Sequence, residues 1–379
     1  MRLFLLLGVL IVGVLWTLYY KWQWDKEVLV KLWFASAFVD AGQETNFYEV
    51  IENRKAVPVP VMEVRFRTKK DLDFSNADNI VVSDYIYKRD IFAILGRQKI
   101  IREIPVKCTK RGRYTIGDAE IATHSLLYGK RYSKGIETDA EIYVYPRMTD
   151  VSEITTVCEQ LLGTLQCAKR LYEDPFAFRT IRSYTTDDPM KSINWKASAK
   201  TGSLMVNTYD SVQSRKAMII LDVEDAGIIK REELVEESIA MAATLVRKLL
   251  RQNIEVGFAY NGEGQIMMPT NRKSALTGLE RMLAEYDPEK GNQDFEQMIN
   301  ELFTGTFSKN PLSQDTLLIF FTKNLNQQFM DCIGTCTEAY QTLVVVPVYR
   351  SERTVQEDRI NAIKRKDNIQ LLVKEVAGG

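Results

Sequence analysis

The sequence predicts an α+β multidomain chain with an N-terminal transmembrane helix, an antiparallel β-sandwich-like domain and a doubly wound α/β domain. Three observations predict it. An uncharged apolar run, Leu3 to Tyr20, opens the chain. From about Glu27 to Met148 apolar residues recur with period two, the mark of half-buried strands. From about Ser214 to Arg350 short apolar runs alternate with stretches of helical period, as when strands lie buried between helices. The expected segments are an anchor over 1–24, a β-domain over 25–148 and a connector over 149–213. An α/β domain over 214–350 and a charged tail over 351–379 follow.

The apolar run would span about 27 Å as a helix, close to the hydrocarbon thickness of a bilayer. Trp16, Tyr19, Tyr20, Trp22 and Trp24 crowd its C-terminal end, as an interfacial aromatic belt would. It ends in bulky rings and Lys21 rather than a small-residue cleavage site, which favours an anchor over a signal peptide. Lys21, Lys26 and Lys31 beyond it, against Arg2 before it, favour a single-pass cell-membrane protein with a cytoplasmic body. The 379 residues suffice for two or three domains, and 50 basic residues balance 50 acidic ones. No global field draws in nucleic acid. Cys108, Cys158, Cys167, Cys332 and Cys336 are scattered, so neither a zinc site nor a disulfide framework is indicated.

In the β-region, Met62, Val64 and Phe66 share one face while Glu63, Arg65 and Arg67 share the other. Val57-Pro-Val-Pro leads into this strand, where prolines suit an edge or an entry. Further strands are expected over 28–38, 47–51, 91–94, 99–108, 114–116, 120–123 and 141–145. Turn formers such as Asp40-Ala-Gly, Ser75-Asn-Ala-Asp and Gly117-Asp separate them. His124, the one histidine, ends a strand and reads as a loop residue unless a nucleophile or carboxylate lies in reach. Gly129-Lys130 lacks the remaining P-loop residues and does not indicate nucleotide binding.

The connector opens with Val151, Ile154, Val157, Leu161, Leu162 and Leu165 at helical spacing, and breaks at Asp174-Pro175. A polar stretch, Arg182 to Asp210, follows. Asp187-Asp188-Pro189 is a turn former. Its carboxylates suit acid/base work, metal ligation or capping, and Arg179 and Arg182 can pair with them. Ile193, Trp195 and Ala197 alternate with Asn194, Lys196 and Ser198, and Lys200-Thr-Gly makes a turn before a strand over 204–209. Trp195 is either a partner anchor or a core residue.

This stretch resembles the signature of the bacterial DUF58 family, a domain of unknown function. Arg182, Tyr184, Asp188, Ile193, Trp195, Ser198, Ala199, Gly202, Leu204 and Val206 match its pattern without gaps. Lys191 and Lys200 stand at arginine positions, while Asp187 and Pro189 depart from the Gly and Asp of that pattern. Glu52-Asn-Arg-Lys and Lys110-Arg-Gly-Arg-Tyr also look like family segments. The resemblance implies membrane helices, a β-rich region, and a C-terminal region similar to a von Willebrand factor type A domain. It implies MoxR-type AAA+ ATPases and envelope or maturation factors as partners.

In the C-terminal region, Ala217 to Asp222 is a buried strand. Glu232 to Arg251 is a helix with Val235, Ile239, Ala242, Val246 and Leu249 in one stripe. Glutamates load its start and basic residues its end, complementing the helix dipole. Strands over 254–260, 265–268, 316–322 and 342–348 follow, with helices over 274–286, 294–303 and 327–340. Residues from Ser351 onward read as a short helix and a loose charged tail. A type A domain would carry Asp-x-Ser-x-Ser around a divalent cation at the first strand end. Here Asp222-Val-Glu224-Asp225-Ala226 lacks both serines, and Thr322-Lys323-Asn324 sets a lysine nearby. A cation at Asp222 is expected to be lost or weak.

The expected function is a membrane-anchored interaction scaffold or adaptor acting with a MoxR-type AAA+ ATPase, with no cofactor, nucleic acid or small-molecule substrate. Its interaction residues are Arg182, Tyr184, Asp187, Asp188, Trp195 and Ser198. The alternative is a hydrolytic enzyme using Asp187 and Asp188 with Arg182 or His124. It lacks a complete set of catalytic roles.

Overall fold

The computed structural model describes residues 2–74, 80–83, 85–124, 130–170, 178–185, 188, 190–209, 215–225, 230–262, 265–304, 312–326, 329–331, 333–334, 339–352, 360–361 and 368–376. The chain forms two compact units. The first comprises Met1–Met148 with Leu279–Tyr286; the second comprises Thr149–Gly278 with Asp287–Gly379.

The first unit begins with helix α1 (Arg2–Gln23). Among the described residues no helix is long and apolar enough to cross a membrane, so the expected single-pass anchor and membrane localisation do not stand. The aromatic residues at its C-terminal end do not form an interfacial belt. Trp16, Tyr19 and Trp22 are exposed, but Tyr20 and Trp24 are buried in the core of the strands. The Tyr20 hydroxyl lies 3.1 Å from Thr123 Oγ1. Lys55 Nζ donates to the carbonyls of Gln23 and Trp24, each at 2.6 Å. This helix end docks on protein, where a lipid-facing belt would turn its rings outward.

The strands form three sheets rather than one simple sandwich. One runs β1 (Val28–Phe34), β3 (Glu44–Asn53), β8 (Gln98–Cys108), β5 (Leu72–Asp73). The second runs β11 (Arg131–Gly135), β10 (Gly117–His124), β4 (Val59–Lys69), β7 (Tyr85–Ile94), β6 (Ile80–Val82). The third runs β2 (Phe38–Asp40), β12 (Glu141–Tyr145), β9 (Gly112–Thr115), with β2 and β12 parallel. Their core is aromatic: the Phe47 ring packs 5.2 Å from Phe66 and 5.9 Å from Phe74. It also encloses charge. Lys88, fully buried, pairs with Asp90 on its own strand and lies 3.4 Å from Glu49 on β3.

In the second unit α2 (Ser152–Arg170) packs on the central sheet's helix α4 (Glu232–Arg251). Between them in the chain lies a ribbon of β13 (Phe178–Ser183) and β14 (Met205–Tyr209) enclosing α3 (Trp195–Thr201). The central sheet runs β17 (Gln265–Thr270), β16 (Glu255–Tyr260), β15 (Lys216–Leu221), β18 (Thr316–Phe321), β19 (Thr342–Tyr349), β20 (Ile369–Val376). All its pairings are parallel except that of the edge strand β17. In the chain α5 (Lys273–Glu285) follows β17 and α6 (Phe295–Thr304) precedes β18. Met218 and Ile220 join a core with Met298 and Leu302 of α6, while α4 packs against β15, β16 and β19. The tail departs from expectation: Ile369–Val376 pairs with the whole of β19. The charged run before it hid a strand that is mostly half-buried, as suits a sheet edge.

Candidate functional site

The signature stretch folds into a self-contained hairpin. Arg182 leaves β13 and grips Asp188 with both arms of its guanidinium, at 2.7 and 2.6 Å. Asp188 Oδ2 also accepts from the Thr185 amide at 2.9 Å and its hydroxyl at 2.8 Å. These bonds hold the Asp188 carboxyl well below the usual carboxylate range, the Arg182 bond contributing most. Asp188 is therefore a turn closer with both oxygens engaged. Asp187 and the side chain of Arg179 lie outside the described residues.

A backbone exchange locks the far side. Ile193 and Val206 form an antiparallel bridge, and the Asn194 amide donates to the Met205 carbonyl at 2.8 Å. Asn194 then caps α3, its Oδ1 accepting from the Ala197 amide at 2.9 Å. Its Nδ2 donates to Asn207 Oδ1 at 2.7 Å. Ser198 ties helix to strand: its hydroxyl donates to the Asn194 carbonyl at 2.8 Å and accepts from the Met205 amide at 2.9 Å. Gly202 ends the helix at φ +68°, a left-handed conformation that glycine adopts without strain. Tyr184 is half-buried and its amide donates to the Leu204 carbonyl at 2.9 Å. The alternation of Ile193, Trp195 and Ala197 suggests a strand, yet the chain turns helical at Trp195 because Asn194 caps there. Trp195 is 66% exposed, with Met190 at 71% and Leu204 at 45%. Neither the capping role of Asn194 nor its partner Asn207 follows from the alternating pattern; an asparagine seven residues before a Thr-Gly is the sequence signal for a short capped helix.

The second location is the carboxyl edge of the central sheet. The register pairs Leu221 with Tyr260 and with Phe321, so Asp222, Asn261 and Thr322 emerge side by side. Asp222 is 4% exposed. Its Oδ1 accepts from Asn261 Nδ2 at 2.9 Å and the Glu224 amide at 3.0 Å. Its Oδ2 accepts from the Thr322 hydroxyl at 2.7 Å and Asn324 Nδ2 at 2.9 Å. Lys323 pairs with Asp225, whose other oxygen accepts from the Arg231 amide at 2.6 Å at the start of α4. Beside Asp222 is a cleft of about 250 Å³ lined by Glu224, Asn292, Asp294, Asn324 and Asn326. Burial, together with the Asp222 and Asp294 charges, raises the Glu224 pKa. Among the described residues no group of three or more His, Cys, Asp or Glu is placed to hold a metal ion. Asn261 went unrecognised in the sequence because its role follows from strand register, which no local motif records.

His124 lies in the first unit, at the end of β10 rather than in a loop, with Nε2 3.1 Å from Glu63 Oε1. Glu63 is 1% exposed on β4. Burial alone would raise its pKa, but bonds from Arg89, His124 and Arg65 bring it down to about 2.

No curated protein matches the chain. Among solved structures, the CARDB domain of a Pyrococcus furiosus protein is 12% identical, covering 31% of this chain and 91% of its own at a TM-score of 0.21. A cohesin from Archaeoglobus fulgidus is 14% identical, covering 34% and 96% at 0.20. An exo-β-N-acetylglucosaminidase from Vibrio harveyi is 9% identical, covering 86% and 82% at 0.25. Scores this low carry no argument about fold or activity. Residues 180–352 match the family described as protein of unknown function DUF58. That stretch, which holds the Arg182–Asp188 clamp, the capped helix and the sheet edge at Asp222, is where the chain is similar to the DUF58 family.

Proposed function

We propose that this protein is an interaction scaffold or adaptor that works with a MoxR-type AAA+ ATPase in envelope or complex maturation. Its α/β unit is, in this proposal, a von Willebrand factor type A-like domain with a degenerate cation position. The observation that carries the reading is Trp195, 66% exposed on a helix whose polar neighbours are spent holding it in place. A large ring carried in solvent on a preorganised backbone suits a partner anchor, since little backbone entropy remains to be lost on binding. The donors around Asp222 support the degenerate position. Two side-chain amides, a hydroxyl and a backbone amide aim hydrogens at the oxygens a cation would need, and Lys323 stands beside them. That donor set does not suit a divalent ion. The hydrolytic alternative needs a carboxylate free to move a proton, and the Asp188 carboxylate takes four bonds from its neighbours.

The test is affinity purification of the full-length chain from its native cells, unaltered and as Trp195→Ala. The proposal expects the ATPase to accompany the unaltered chain, and at least a tenfold smaller amount to accompany the variant. Repeated recovery of the chain with no protein partner would overturn it.

A further inference from the structure

We propose that the signature hairpin docks an acidic segment of its protein partner, in which carboxylates flank an apolar side chain. This rests on the adaptor reading and names the chemistry its partner must present.

The antiparallel exchange between Ile193 and Val206, with the Asn194 amide bonded to the Met205 carbonyl, places Trp195 and Leu204 next along the two paired segments. Met190 sits in the 3-10 turn that packs against β14. Met190, Trp195 and Leu204 are each 45% exposed or more, on a hairpin that buries only Ile193 and Val206 among its described apolar side chains. An apolar group of that size on so small a polar element is the pattern of a binding surface.

Charge states what covers it. Residues 178–209 carry five basic residues, Arg179, Arg182, Lys191, Lys196 and Lys200, against two acidic ones, Asp187 and Asp188. Five minus two leaves +3 on a stretch of a chain whose formal net charge is zero. Arg182 is spent on Asp188. Lys191, Lys196 and Lys200 are exposed, and no described carboxylate pairs with them. They lie on the 3-10 turn and on α3, the elements that present Met190 and Trp195. An acidic partner is steered in by these lysines and excluded from wrong registers by them, while the apolar anchor supplies the contact area. A protein segment fits better than a nucleic acid strand. The exposed groups include two flexible aliphatic chains, Met190 and Leu204, and the Arg182 fork, a geometry suited to phosphate, is already engaged.

The experiment uses the purified full-length chain and three labelled probes read by fluorescence anisotropy. One is a peptide of Asp and Glu around a central pair of leucines. The second has Lys in place of its acids, and the third is a single-stranded oligonucleotide of equal charge. The acidic peptide is expected to bind. Its affinity should fall at least tenfold with Trp195→Ala, at least tenfold with Lys191, Lys196 and Lys200 all changed to Glu, and further with added salt. Circular dichroism should show both variants folded, since all four positions are exposed. Equal binding of the basic peptide, tighter binding of the oligonucleotide, or indifference to both variants would overturn the inference. If the ATPase still co-purifies through Trp195 while the acidic peptide does not bind, the docking chemistry falls and the adaptor reading stands. If no partner co-purifies, the adaptor reading falls first.

Discussion

Removing the carboxylate of Asp222 tests the account of the sheet edge. Asp222→Ala removes the acceptor of the Asn261 amide and the Glu224 backbone amide, and leaves Asn324 Nδ2 only the Glu224 carbonyl and the Thr322 hydroxyl only the Asn324 carbonyl at 3.3 Å. A buried donor left unpaired costs about 1–3 kcal/mol. The adjoining cleft admits water to part of the group, so the sum falls to about 3–4 kcal/mol rather than four full penalties. Asp222→Asn keeps one acceptor oxygen but turns an –NH2 toward two donors, and should cost about 2 kcal/mol. The assay is urea unfolding followed by near-ultraviolet circular dichroism, fitting the transition of the second unit separately from the first. Each measurement is repeated with about 10 mM Mn²⁺. If Asp222 were a cation ligand with a millimolar dissociation constant, the ion would add about 1.4 kcal/mol to the unaltered chain. The account predicts no such gain and a loss of stability in both variants. Stabilisation by Mn²⁺ that disappears with Asp222→Asn would show a cation site at Asp222, and a variant more stable than the parent would show that its bonds do not hold the sheet edge.

Buried charges of the first unit and buried thiols of both units offer three further tests. Glu63→Gln should cost about 1–2 kcal/mol at pH 7, a figure reduced for the solvent screening of the half-exposed arginines around it. The folded pKa of about 2 lies below the ordinary 4.5, so the contribution of Glu63 is complete above pH 4.5 and is lost as pH falls toward 2. Urea midpoints of parent and variant should therefore converge over that interval, and a constant gap would count against the pairing. Lys88→Met leaves Glu49 buried without its nearest cation and Asp90 with Arg102 alone, and should cost about 3 kcal/mol by the same measurement; an unchanged midpoint would show that the cluster is solvated. Burial raises the Cys108 thiol to about 11, and in the second unit burial carries Cys158 to about 12. With the other three cysteines changed to Ser, iodoacetamide at pH 8 should label neither thiol until urea opens the chain; rapid native labelling would contradict this.

Much of the fold could be read from side-chain period. The runs Met62-Val64-Phe66 and Ala217 to Leu221 lie buried because strand geometry alternates faces or, in a parallel sheet, buries both. What period concealed was polar. Glu63 looks like a solvent-facing residue in that alternation, yet it is buried, because arginines from β4 and β7 and a histidine from β10 converge on it. The apolar run at the N-terminus read as an anchor because hydropathy counts residues without knowing which rings a neighbouring sheet absorbs; Tyr20 and Trp24 are absorbed. In the signature, Arg182 and Asp188 were visible as a pair. The helical turn at Trp195 was not, since a seven-residue helix offers too few turns for a periodic signal and depends on its cap. The cage around Asp222 comes from three strands far apart in sequence, and only their register assembles it.

The proposal places another protein on the face around Trp195. The most direct measurement places a photocrosslinking amino acid at position 195 of the full-length chain in its native cells. A matched chain carries it at position 91, where Ile91 is 55% exposed on β7. The account predicts a discrete crosslinked protein adduct from position 195 that is absent from position 91. No adduct at 195, or the same adducts from both positions, would contradict it.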